Sequence, residues 1–254
     1  MTDRAVGAFL FRMGSLNKHI NYHELRDALA EDGCAVCHLA SRAVARHLDF
    51  LLHESVNDAG VRRDVRRARG FCNRHAWQLR DLQGALGIAI IYRDVVATVM
   101  EDVGEARSPG VGQRAWNRVR SSVSDTASTP DRSALLAALS PTGPCPACRT
   151  RETAERMYLR TLVDHAGDPD IVAGFERSGG LCVRHLRGSI EQTRNEEAIA
   201  QILDMQNKAW ERLHDNLSEF IRKHDYRFRD ENLEAEGDSW IRAVAAISGG
   251  RGVW

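Results

Sequence analysis

The sequence predicts an all-α protein: an internally duplicated helical bundle with two Cys3His metal-binding modules. Three observations predict it. Apolar residues recur at helical spacing and strand-like alternation is missing. The hexamer GFCNRH at Gly70–His75 returns as GLCVRH at Gly180–His185. All six cysteines fall into one pattern used twice, C-x2-C-x34-C-x2-H and then C-x2-C-x33-C-x2-H.

The elements follow in order. A short helix over Tyr22–Glu31 is closed by Gly33. Cys34 or Cys37 opens a second, reaching about Asn57, with Leu39, Ala43, Leu48, Leu51 and Leu52 as its apolar stripe. Val61–Arg69 is a short basic helix ended by Gly70. Cys72 opens a longer helix that carries Ile88, Ile91, Tyr92, Val95 and Val99. In the second copy, Thr129-Pro130-Asp131 reads as a helix start, with a capping hydroxyl, Pro at the first helical position and an acid in the first turn. Asp168-Pro169-Asp170 repeats that logic for a helix ending at Gly179-Gly180. The longest helix runs from His185 to about His224, with Ile199, Ile202, Leu203, Trp210, Leu213, Leu217 and Ile221 facing the core. An acidic stretch from Asp230 precedes a short amphipathic helix, Trp240–Ile247, expected to dock on the body. The expected organisation is a first module over 1–103, a Gly/Ser/Arg-rich linker over 104–128, and a second module over 129–254 with the long helix and the tail.

The duplication reaches beyond the cysteines. LRDALAEDGCAVC from Leu25 and LLAALSPTGPCPAC from Leu135 share L-x-x-A-L-x-x-x-G before the C-x-x-C. Pro144, inserted before the second C-x-x-C, is offset by one residue fewer inside it. Each copy supplies three thiols and one imidazole, so the candidate metal ligands are Cys34, Cys37, Cys72 and His75, then Cys145, Cys148, Cys182 and His185. The expectation is that each copy closes its own site. Zinc is the leading metal, two per chain, because it favours tetrahedral thiolate and imidazole sets. Placement at helix starts favours thiolates through free N–H groups and the helix dipole. An iron–sulfur cluster is the alternative cofactor, although such clusters are more often held by four cysteines. A redox C-x-x-C would call for a βαβ context, which this sequence does not provide. With four protein ligands no position is left to activate water, which argues against hydrolytic chemistry.

Charge narrows the partners. Lys+Arg and Asp+Glu both number 35, so no global field favours nucleic acid or an acidic membrane. The longest apolar run, Ala85–Tyr92, is far too short to span a bilayer. No secretory leader is read at the N-terminus, so a reducing cytoplasm is expected, in which cysteines serve as ligands rather than disulfides. One stretch stands apart, with Arg62, Arg63, Arg66, Arg67, Arg69, Arg74 and Arg80 accompanied by one Asp. It is a candidate nucleic-acid face, or else a solvated face or one neutralised by the acidic tail. His19 and His23 stand four apart beside Glu24, with Asn21 as a cap between them, and read as a surface pair. His38 follows Cys37 directly, but Arg149 holds the corresponding place, which favours His75 as the ligand.

The tandem C-x-x-C…G-[FL]-C-x-x-H modules, with EFIRKHDYRF…SWIRAVAAISG at the end, resemble an uncharacterised bacterial family, a domain of unknown function. The resemblance implies paired Cys/His modules on a helical scaffold and no activity. The combined expectation is a non-enzymatic, metal-stabilised scaffold that binds an unknown protein partner, with a nucleic-acid regulator and an iron–sulfur electron-transfer or redox-sensing protein as alternatives.

Overall fold

The computed structural model describes residues 18–107, 131–228 and 230–253. Residues 108–128 of the expected linker, with Thr129 and Pro130, lie outside the described residues. Among the described residues there are eleven α-helices, one 3-10 turn and no strand.

The first half holds α1 (Ile20–Ala28), α2 (Ala35–His53), α3 (Ala59–Arg67), α4 (Asn73–Asp81) and α5 (Ala85–Arg107). The second holds α6 (Arg132–Leu139), α7 (Pro146–Asp164), α8 (Pro169–Ser178), α9 (Val183–Glu191) and α10 (Glu196–Lys223), then the turn Tyr226–Phe228 and α11 (Ser239–Ser248). Helix lengths recur in register: α2 and α7 are both 19 residues, α4 and α9 both 9.

Three expectations change. The helix after each C-x-x-H is broken once. Gln83 turns into the left-handed region at φ 59° between α4 and α5. Asn195 caps α10 by accepting from Glu197 N and Ala198 N. The cap of α6 is Asp131, which accepts from Ser133 N, rather than a hydroxyl before it. Asn21 is not a cap, because α1 already begins at Ile20. The start of α8 matches expectation: Asp168 accepts from Asp170 N, Pro169 opens the helix, and Gly179 ends it at φ 84°.

Helices α2 and α7 form the spine. The first half of α2 (Ala35, Val36, Leu39, Ala40) shares a core with the second half of α7 (Tyr158, Leu159, Leu162, Val163). The second half of α2 (Val44, Leu48, Leu51, Leu52) shares a smaller core with Ala147 at the start of α7. The two helices are therefore antiparallel. Around the larger core lie α1, α8, α9 and α10, with Phe175, Ile171, Ile202 and Leu181 fully buried. The smaller core buries Val65 from α3, Phe71 before α4, Leu79 from α4, and Ile91 and Val95 from α5, with Val61, Ala76, Ile88, Tyr92 and Val99 partly buried against it. Outside it, Leu86, Val96 and Met100 of α5 remain exposed.

Backbone bonds tie the halves in a reciprocal way. Gly33 N, just before the first C-x-x-C, donates to Ser178 O at the end of α8 (2.6 Å). Thr142 N and Gly143 N, just before the second, donate to Arg67 O at the end of α3 (2.7 and 3.0 Å). Each bond uses a terminal carbonyl that its own helix leaves unpaired.

Helix α11 packs on α10 and α9, as its amphipathic sequence suggests, and leaves Trp240, Ile241, Val244 and Ile247 exposed. No described helix is long and apolar enough to cross a membrane.

Candidate metal centres

All four ligand pairs are built alike. Cys34, Cys72, Cys145 and Cys182 are the N-caps of α2, α4, α7 and α9, and none makes a side-chain capping bond. The second ligand of each pair, Cys37, His75, Cys148 or His185, stands three residues on, in the first helical turn. Both side chains thus point past the helix start, where unpaired N–H groups and the dipole favour thiolates. Gly70 (φ 93°) and Gly180 (φ 84°) make the turns that aim each C-x-x-H. At Gly180 a Cβ would come within 2.8 Å of the Gln206 amide, whose Oε1 holds Leu181 N at 2.8 Å. Gly180→Ala is expected to destabilise the protein by about 2–4 kcal/mol, from backbone strain plus overlap, measured as a lowered denaturation midpoint at unchanged m-value.

The pairing corrects the sequence expectation. The copies do not close their own sites; they exchange partners. Cys34 and Cys37 meet Cys182 and His185 in a first centre, while Cys72 and His75 meet Cys145 and Cys148 in a second. The reason lies in the antiparallel spine. His75 lines a small cavity with Ala40 and Val44. Val44 is ten residues past Cys34, roughly 15 Å along the helix, which is too far to share an ion. What lies beside that part of α2 is the start of α7, with its own C-x-x-C.

Distances within each centre match a single tetrahedral ion. Zinc–sulfur bonds of about 2.3 Å give S···S edges of about 3.8 Å, and with imidazole about 3.5 Å for S···N. In the first centre Cys37 Sγ lies 3.8 Å from Cys182 Sγ, and His185 Nδ1 lies 3.3–3.4 Å from the three sulfurs. In the second, Cys72 Sγ lies 3.7 Å from Cys148 Sγ, and His75 Nδ1 lies 3.2–3.6 Å from the three sulfurs.

The surroundings differ. In the first centre all four residues are buried, whereas in the second the three cysteines are partly exposed and only His75 is buried. His185 turns its Nε2 towards Glu155 Oε1 at 3.6 Å, and Arg151 Nε lies 3.3 Å from the same oxygen. A carboxylate behind a ligating histidine orients the ring and raises its basicity. The residue corresponding to Glu155, ten after the first cysteine of its pair, is Val44 in the other half.

Protonation follows. Burial disfavours a charged His185 ring, but Cys182, Cys37 and Glu155 outweigh it and hold its pKa up at about 11. Burial, with the guanidiniums of Arg74 and Arg151, pushes His75 down to about 4. Loading the first centre therefore displaces a proton from His185. Glu155→Gln is expected to weaken metal binding at the first centre about 10- to 100-fold, read by competition with a chromophoric chelator.

Residues 250–253 run from the first centre, which Gly250 touches, to the cavity beside His75 that Gly252 and Val253 line, a role the sequence reading missed. Gly250 N donates to Cys37 Sγ (3.3 Å), Gln78 Nε2 donates to Gly252 O (3.2 Å), and Arg151 Nη1 donates to Val253 O (3.4 Å). A Cβ on Gly250 would lie 3.2 Å from Cys37 Cβ. The glycines of Ser248-Gly249-Gly250-Arg251-Gly252 were the available signal for this close approach.

The remaining candidates are dispersed. Arg62 and Arg66 both pair with Asp94 (3.1 and 2.5 Å), and Arg69 pairs with Asp102 (2.6 Å). The acids near these arginines thus come from α5, not from the tail, whose Glu236 pairs with Lys223 (2.7 Å). Arg74 stands beside His75 at the second centre, and Arg63 and Arg67 are exposed on α3. His38 binds Asp32 O (2.9 Å) away from both centres. His19 precedes α1 and His23 is exposed on it.

No solved structure matches the chain. An uncharacterised 23.9 kDa protein in the xynA 3' region of Caldicellulosiruptor sp. (strain Rt8B.4) is 26% identical over 221 residues, 86% of this chain and 96% of its own. The pattern described as "Family of unknown function (DUF6062)" matches residues 17–252. The chain therefore belongs to the DUF6062 family of unknown function.

Proposed function

We propose that the chain is a two-zinc helical scaffold that binds another protein and catalyses no reaction. The observation that carries this reading is the pair of four-residue centres whose S···S and S···N separations fit one tetrahedral ion each. Such a set uses every position of the ion, which supports a structural rather than a hydrolytic role. The matched helix lengths support a duplicated module, and the exchanged ligands make each half a folding partner of the other. A protein partner is supported by the exposed apolar residues of α11, Trp240, Val244 and Ile247, which follow one another at helical spacing. The nucleic-acid reading keeps Arg63 and Arg67 as its exposed α3 cations. Reduced thiol ligands fit a reducing compartment such as the cytoplasm.

A multi-iron cluster spreads its protein ligands over several metals, so its ligands stand wider apart than the edge of one tetrahedron. All ligand atoms of each centre lie within 4.8 Å of one another, which favours single ions. Elemental analysis and an absorbance spectrum of freshly purified protein test the reading. Two zinc per chain with no visible band is expected. Iron with sulfide and a band near 400 nm would replace the scaffold by an electron-transfer or sensing protein.

A further inference from the structure

We propose that the second centre is a modification site: hydrogen peroxide joins Cys72 to Cys148 as a disulfide and expels that centre's ion, while the first centre keeps its own. The inference rests on the reading that both centres hold zinc, and goes beyond it by making them unequal.

Proximity does not separate the centres, because each has two sulfurs at 3.7–3.8 Å. Access and support do. In the first centre Cys34, Cys37 and Cys182 are 7%, 3% and 0% exposed. Gly250 N shields Cys37 Sγ, and Glu155 stands behind His185. In the second centre all three thiols are partly exposed, and Val44 takes the place corresponding to Glu155. Solvent thus meets the second centre on its sulfur side while its histidine is sealed. Sulfurs bound to zinc are thiolates, the form that attacks a peroxide.

The chemistry balances. One thiolate attacks a peroxide oxygen, the O–O bond breaks, and the departing hydroxide takes a proton to become water. The resulting sulfenic acid is attacked at sulfur by the second thiolate. The S–O bond breaks and a second hydroxide is protonated to water. The two sulfurs lose two electrons and the peroxide gains them. With two of its four ligands withdrawn, the zinc leaves as a divalent cation, and a dithiol reverses the step.

The consequence is local. The second centre joins the start of α4 to the start of α7, beside the smaller core that α3, α4 and α5 share. The disulfide would keep the halves linked across 76 residues while the ion is absent.

The test uses freshly purified protein of measured zinc content, treated with hydrogen peroxide. Released zinc is followed with a chromophoric chelator, and the cysteines are mapped by mass spectrometry. The expected result is one zinc released per chain together with a Cys72–Cys148 linkage, with Cys34, Cys37 and Cys182 still reduced. Dithiothreitol and added zinc should restore the starting state. In Glu155→Gln the first-centre zinc, which the parent keeps, should also be released under the same treatment. Two ions lost together, the first-centre thiols oxidised first, or both ions retained would each overturn the inference. Protein purified with no zinc would instead defeat the scaffold reading itself.

Discussion

Made as two separate polypeptides, residues 18–107 and 131–253 are expected to remain largely unfolded and to hold no tetrahedrally closed metal, and to recover two ions per pair only when mixed. Each half alone carries one C-x-x-C and one C-x-x-H, but the 19-residue helix that follows its C-x-x-C, α2 or α7, carries the chain away before the C-x-x-H is reached. The first half also loses Tyr158, Leu159 and Leu162 from the core that buries Ala35, Val36 and Leu39. A structural zinc contributes about 10–16 kcal/mol in small modules, so neither half has a substitute for what the other brings. Circular dichroism and metal analysis of each half, and of the mixture, check this. One half that folds alone with one tightly bound zinc would restore the picture of self-contained modules and refute the exchange.

Two serine substitutions should separate the centres. Cys182→Ser removes a fully buried ligand from the first centre, inside the larger core that joins α1, α2, α7, α8, α9 and α10. Loss of about 10 kcal/mol of metal binding there is comparable with the whole stability of a domain, about 5–15 kcal/mol, so global unfolding is expected. Cys72→Ser removes a half-exposed ligand from the second centre, whose neighbouring core takes one buried residue from α3 and few from α4 and α5. Loss of one zinc with opening confined to α3–α5 is expected, visible as fast amide exchange in residues 59–107 and retained protection in α7 and α10. Equal, global effects of the two changes would show that the cores do not melt separately.

Much of this was legible in the sequence. The eight Cys and His residues that come together in two groups, the helix starts at the cysteines, the glycine turns at Gly70 and Gly180 and the cap at Asp168 each rest on a local rule, and local rules need no knowledge of the rest of the fold. The pairing needed more. Two identical motifs can be joined within copies or between them, and the spacing of 33 or 34 residues is silent on the choice. Helix lengths are not silent. The 19 residues of α2 carry the chain roughly 28 Å away from Cys34, and the 9 of α3 return it by roughly 14 Å. Cys72 therefore arrives too soon to meet Cys34. The breaks at Gln83 and Asn195 escaped because apolar spacing continues across them. The part played by Gly250 escaped because a backbone N–H has no side chain to announce it.

The exchange of ligands also sets a timetable. The second centre can close once Cys148 has been made, whereas Cys37 waits a further stretch of chain for His185, 148 residues beyond it. At about 5–20 residues per second that is roughly 7–30 s of synthesis. Throughout that interval Cys34 and Cys37, buried in the finished molecule, stand open to solvent, to oxidants and to the wrong metal. The half-exposed centre is therefore the first to be assembled, and the permanent one is sealed last. A released chain truncated between Cys148 and Cys182 should already carry one ion, held by Cys72, His75, Cys145 and Cys148, with Cys34 and Cys37 still reactive to alkylation.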